Sequence, residues 1–224
     1  MPFAKREDKR INNRLPIARE GLPFITAWSA ITCIFLYFGL LFLAIFAGVI
    51  SLFTIYFFRD PNRDNQVHEK TVLTPADGKI LGIQHLKDST NPLGKPAIKV
   101  SIFMSIFNVH VNRIPTGGRI LKIIYNPGKF FSANMDKASE QNENNRIILE
   151  TNDGHKIVFV QIAGLIARRI VCWIKEGTEV QAGQRFGLIR FGSRLDIYLP
   201  DDTELLIQTK HKVKAGKTIL GYLS

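Results

Sequence analysis

Cysteine is nearly absent from this chain: Cys33 and Cys172 are the two it has in 224 residues. Two isolated thiols make neither a disulfide framework nor a CxxC motif. Metal-ligand spacing is missing as well. His68, His85, His110, His155 and His211 are scattered, with no HExxH and no paired ligands, so the expected chemistry uses neither zinc nor a thiol. Acidic residues are few, 19 against 30 Lys and Arg, which leaves a formal charge of +11. A basic excess suits nucleic acid, but no RNP-type motif, Cys/His finger or basic-aromatic stripe accompanies it, and no nucleic-acid partner is predicted.

What the chain has in quantity is apolar sequence in one place. From Pro23 to Phe58 it reads "PFITAWSAITCIFLYFGLLFLAIFAGVISLFTIYFF", where Tyr37, Tyr56 and Cys33 are the only ionisable side chains. A spanning helix needs roughly 20 apolar residues, and this run is far longer. It predicts a membrane anchor at 23–58, either one long tilted helix or a hairpin turning near Phe38-Gly39 or Ala47-Gly48. Basic residues on both sides, in "KREDKRINNRLPIARE" before it and "RDPNR" after it, favour two cytoplasmic ends and hence the hairpin. The basic segment 1–22 would lie in the cytoplasm. A cleaved signal peptide fits poorly, because no short small-residue site follows the run. Beside such an anchor the positive charge is expected to attract anionic lipid.

Past Phe58 the pattern changes to short strand-like runs such as "AIKVSIFMSIFNVHVNRIP", "GRILKIIYN" and "RLDIYLP", punctuated by "DG", "NDG" and "GG". Long amphipathic helices are missing here. The expectation for 59–224 is a mainly β domain, a compact hybrid β-sandwich or barrel. Two late segments, "EGTEVQAGQRFG" and "KHKVKAGKTILG", repeat a Val two residues before Ala-Gly and close on Gly. They are similar to the half-repeats of lipoyl and biotinyl carrier folds, yet no hairpin-tip Lys accompanies them to accept a cofactor.

Within "LIRFGSRLDIYLP" the pair Gly192-Ser193 reads locally as a turn, since Gly tolerates positive φ and Ser is a frequent turn residue. Other stretches give it a second meaning. "FFRDPNR" (57–63), "TPADGKI" (74–80), "NVHVNRIPTGG" (108–118), "NENNR" (142–146), "QIAGLIARRI" (161–170) and "RFGSRLDIYLP" (190–200) occur in an order that resembles the short bacterial form of the phosphatidylserine decarboxylase family.

The resemblance implies self-cleavage between Gly192 and Ser193, giving a larger β subunit (1–192) and a small α subunit (193–224) that stay together as a heterodimer. It also implies that Ser193 becomes a covalent pyruvoyl group, with no metal and no exogenous cofactor. That carbonyl would take the amine of phosphatidylserine as a Schiff base and accept the electrons released with CO2, leaving phosphatidylethanolamine. The implied location is a bacterial cell membrane with the active domain on the cytoplasmic side; homo-oligomerisation stays open.

His110, in a β-like run, is the expected base, and Asp77 in "ADG" is expected to orient it. Their local readings are a structural His and a turn-forming Asp. Longer family members have H-x-x-H where this chain has His110-Val111-Asn112-Arg113, and an Arg cannot act as a neutral base. Arg113 is instead a candidate for the substrate carboxylate or phosphate. Arg168, Arg169 and Arg194 are further candidates for the phosphodiester. A carrier-type binding module and a non-catalytic membrane scaffold are the competing readings; only the enzyme predicts a small fragment beginning at position 193.

Overall fold

The computed structural model describes residues 11–13, 15–63, 68–87, 90–129, 141–164, 169–190 and 192–224. The basic residues before Ile11, and Arg168, lie outside them. The chain divides into two compact units, one of Asn12–Asn62 and one built on Arg63–Ser224.

The first unit holds the apolar run, folded as two helices, α1 (Leu22–Tyr37) and α2 (Leu41–Phe57). The chain reverses at Phe38–Leu40, where Gly39 takes φ 70°, a conformation that costs glycine little. Ala47 and Gly48 are not a turn but part of α2. Small and hydroxyl residues face the helix pair: Ala44, Ala47, Ser51 and Thr54 are buried, and the Ser29 and Ser51 hydroxyls lie 3.0 Å apart. Small contact residues let two backbones approach closely where large side chains would hold them apart. Tyr37, Phe42 and Leu52 point outward and are exposed. By length and composition Arg19–Tyr37 can cross a membrane, while Leu41–Phe57 is shorter.

The second unit is mainly β, as the strand-like runs and turn signals predict. Its strands are β1 (Thr71–Leu73), β2 (Gly78–Leu86), β3 (Ala97–Met104), β4 (Val111–Arg113), β5 (Gly118–Asn126), β6 (Asn144–Glu150) and β7 (Lys156–Ile162). They are followed by β8 (Ile170–Cys172), β9 (Glu179–Val180), β10 (Arg185–Ile189), β11 (Ser193–Pro200), β12 (Glu204–Leu205), β13 (Lys212–Val213) and β14 (Ile219–Tyr222). One long curled sheet runs β13-β2-β3-β11-β7-β6-β5-β9, and two small sheets, β1-β14-β12 and β4-β10-β8, accompany it.

This strand order is symmetric about the β11–β7 pair. The first lobe is β1–β3 with β11–β14; the second is β4–β10. Equivalent hydrogen bonds recur in both. Gly216 N–H donates to Thr74 O at 2.8 Å, and Gly183 N–H donates to Ile114 O at 2.8 Å. Where the lobes meet, Leu73 N–H donates to Pro115 O at 2.7 Å and Arg113 N–H to Pro75 O at 2.9 Å. The two Val-x-Ala-Gly segments occupy equivalent places, Val180 pairing with Gly118 and Val213 with Gly78. The second lobe thus sits between Met104 and Ser193 of the first, where a hairpin turn would otherwise join β3 to β11. In the second lobe the matching strands β6 and β7 are joined by such a turn at Thr151–His155.

The core follows from alternation along β11, which is buried on both faces. Leu195, Ile197 and Leu199 lie on one face beside Ile102, Val100 and Ile98 of β3. Phe159 of β7 shares this face and meets Phe186 of β10 edge-on, ring centroids 5.0 Å apart. Each such fully buried side chain contributes about 1.5–3 kcal/mol. The opposite face carries Arg194, Asp196 and Tyr198.

Candidate active site

Ser193 begins β11 opposite Met104, on the core face of the sheet. It is fully buried, and among the described residues its Oγ has no hydrogen-bond partner. An unsatisfied buried hydroxyl costs about 1–3 kcal/mol, so packing alone does not account for a serine here. Gly192 before it has φ 61°, and a Cβ added there would meet nothing within 4 Å. Glycine is therefore required by backbone conformation rather than by crowding.

His110 immediately precedes β4 and is fully buried. Its Nδ1 lies 3.0 Å from the Asn108 carbonyl oxygen. A carbonyl only accepts, so Nδ1 carries the proton and Nε2 is the basic nitrogen of the neutral ring. Asn108 is itself fixed, its Oδ1 accepting from the Ser105 N–H at 2.9 Å and the Ser105 hydroxyl at 2.8 Å. Two chain connections converge at this end of the core. The chain leaves β3 at Met104, opposite Ser193, and turns through Ser105–Asn108 to His110. It leaves β10 at Ile189, whose N–H donates to His110 O at 3.4 Å, and continues to Gly192.

Asp77 sits in the turn before β2. Lys79, Phe103 and Arg194 form one row across β2, β3 and β11, so Asp77 and Ser193 leave the sheet at the same end. Two strand spacings, about 10 Å, separate their backbones. Gly78 lets the turn pack, since a Cβ there would stand 2.0 Å from Phe103 O. Arg63 Nη1 and Nη2 donate to Asp77 Oδ1 and Oδ2 at 2.5 and 2.9 Å, and Ala215 N–H donates to Oδ1 at 2.7 Å. Among the described residues no hydrogen bond joins Asp77 to His110. The His110 ring bonds Asn108 O, and the Asp77 carboxylate bonds Arg63 and the Ala215 N–H.

The arginines separate. Arg113 ends β4, is buried, and donates to Gly183 O at 2.9 Å. Arg194 lies on the face of β11 opposite Ser193, donating to Asp196 Oδ1 at 2.6 Å and to Ser101 Oγ at 2.8 Å. Lys99 Nζ completes the cluster, 3.3 Å from Asp196 Oδ2. The structure thus does not bring Arg194 to the Ser193 side chain. Arg169 is exposed.

Sequence reasoning missed a buried amide chain behind the site. Asn145 Nδ2 donates to Gln161 Oε1 at 3.0 Å, Gln161 Nε2 donates to Asn112 Oδ1 at 2.9 Å, and Asn112 Nδ2 lies 3.5 Å from Met104 Sδ. Its signal is amides at core-facing positions of otherwise apolar strands, within "NENNR", "QIAG" and "NVHVNR". Cys172 lies beside this chain, and burial pushes its thiol above the usual range, against the hydrogen bonds to Ile174 and Asn145 that lower it. Among the described residues no three His, Cys, Asp or Glu side chains are grouped as a metal would need.

The family profile described as phosphatidylserine decarboxylase matches residues 50–221. Similar proteins carry the name phosphatidylserine decarboxylase proenzyme. That of Syntrophus aciditrophicus is 50% identical over 92% of this chain and 96% of its own length. That of Desulfotalea psychrophila is 49% identical over 94% of this chain and 98% of its own. A Rickettsia felis relative is 48% identical over 91% and 89%. With matches of this extent along a fold whose buried serine follows a left-handed glycine, the chain belongs to the phosphatidylserine decarboxylase family.

Proposed function

We propose that the chain is made as a precursor, cuts itself between Gly192 and Ser193, and then decarboxylates phosphatidylserine to phosphatidylethanolamine at the cytoplasmic side of a bacterial membrane. The observation that carries this reading is the buried, unpartnered Ser193 hydroxyl directly after Gly192 at φ 61°. The names of the relatives agree with a substrate of this kind and with processing of a precursor.

The chemistry of the cut follows from the groups in place. Ser193 Oγ attacks the Gly192 carbonyl carbon, and a base takes the hydroxyl proton and passes it to the Ser193 nitrogen as the C–N bond breaks and an ester forms. Removal of the Ser193 α-hydrogen then expels the Gly192 carboxylate and leaves dehydroalanine, which water converts to pyruvoyl and ammonia. Two protons must be removed, and His110 Nε2 and Asp77 are the two acceptors proposed to share them. The surroundings suit the product, since the group replacing Ser193 needs no hydroxyl partner and a Cβ at Gly192 would meet nothing within 4 Å. When present, the pyruvoyl group supplies an electrophilic carbonyl that engages the substrate amine and draws off the electron pair freed with carbon dioxide.

Around it, His110 holds or delivers a proton through Nε2, and Arg113, a fixed charge at the far end of β4, is assigned to the substrate's carboxylate or phosphate. The apolar helix pair is proposed as the membrane anchor, with anionic lipid as its surface partner. Small and large subunits remain a heterodimer because β11 is hydrogen-bonded on both sides, to β3 and β7. The test is the intact mass of purified protein: two chains are expected, the smaller starting at 193 with a blocked amino terminus. A single uncut chain with full decarboxylase activity would end the proposal.

A further inference from the structure

We propose that Arg63 is the positioning residue of the self-cleavage site, fixing which oxygen of Asp77 is left to accept a proton. This rests on the role given to Asp77 above. The Arg63 side chain is 6% exposed, and its guanidinium grips the carboxylate as a fork while also donating to Ala215 O. Oδ1 takes Arg63 Nη1 and the Ala215 N–H, which fills both its lone pairs. Among the described residues Oδ2 takes Arg63 Nη2 alone and keeps one. Rotation of the carboxylate would exchange the two oxygens, and a bidentate partner opposes that rotation where a point charge does not.

The second lobe supplies an internal comparison. Its turn equivalent to Ala76-Asp77-Gly78 is Thr116-Gly117-Gly118, and a Cβ at Gly117 would stand 4.0 Å from Ala182 N, the counterpart of Ala215 N. The donor is present in both lobes, but the carboxylate and its arginine fork belong to the first, the lobe that contains Ser193. "RDPNR", read from sequence as charge flanking the anchor, thus places its last arginine on the site.

The experiment follows cleavage of newly made full-length chain over time, with melting measured in a Ser193→Ala background where no cut intervenes. Arg63→Lys keeps the charge and loses the fork; it is expected to slow cleavage by roughly tenfold or more with unchanged melting. Arg63→Ala is expected to slow it roughly 100-fold and to regain speed with methylguanidinium but not with methylammonium. Cleavage of Arg63→Lys at the parent rate overturns the inference. So does slowing of Arg63→Lys that tracks lost melting temperature, or an equal effect of the two additives on Arg63→Ala. Asp77→Asn is run in parallel. If it cuts at the parent rate, the role of Asp77 fails and this inference with it; if it is blocked while Arg63→Lys is normal, Arg63 alone is struck out.

Discussion

Ser193 faces Met104 across the β3–β11 pair, and its hydroxyl oxygen is enclosed there with no hydrogen-bond partner among the described residues. Removing that oxygen relieves an unmet demand rather than breaking a contact. In an Asp77→Asn background, where the uncut chain is expected to persist, adding Ser193→Ala is expected to raise the unfolding free energy by about 1 kcal/mol. Chemical denaturation checks this. In the parent background the same substitution is expected to abolish both the fragment at 193 and the activity, read by intact mass and product formation.

Gly192→Ala tests the backbone. No atom obstructs the new methyl, so the cost is that of holding a left-handed conformation, about 1–2 kcal/mol. Cleavage is expected to slow measurably in a time course while the uncut precursor still melts cooperatively.

Arg194 distinguishes structure from substrate binding. Its pair with Asp196 is buried, with side-chain exposures of 4% and 0%. Arg194→Leu removes one cation from Asp196 while Lys99 Nζ stays 3.3 Å away, and a stability loss of about 3–5 kcal/mol is expected from an opened buried pair. Thermal melting in the Ser193→Ala background reads it. A normal melt with raised KM in the mature protein would assign Arg194 to substrate instead.

Cys172 gives a pH-dependent readout. Burial raises its thiol pKa above the ordinary 9.0, so the folded protein keeps the proton where the unfolded chain loses it. The resulting stability is complete below the unfolded value and declines as pH rises through the folded one. Alkylation of Cys172 at pH 9 is therefore expected to be much slower in the folded than in the urea-unfolded protein. Peptide mass mapping with iodoacetamide measures both rates.

Much of this was legible in the residues. Alternation in runs such as "RLDIYLP", with Gly-containing turns between them, specifies strands, and the apolar run from Pro23 specifies helix. The symmetry was only half legible, through Val-x-Ala-Gly; its other half lies in "TPADGKIL" and "IPTGGRIL", where Asp77 and Gly117 differ most in chemistry. Partner choice was not legible. Arg63 and Ala215 reach Asp77 from distant sequence, and nothing local to "ADG" announces them. Nor does local sequence show that Arg194, the immediate neighbour of Ser193, points the opposite way; strand alternation requires it once β11 is known to start at Ser193.

Because one lobe is threaded into the other between Met104 and Ser193, the proposed scission falls at a seam, where the guest segment ends and the host resumes. No hairpin is severed. The host would be finished by strands from a separate polypeptide, so the mature protein would be a natural case of fragment complementation. Its smaller piece could escape only by unzipping β11 from neighbours on both flanks.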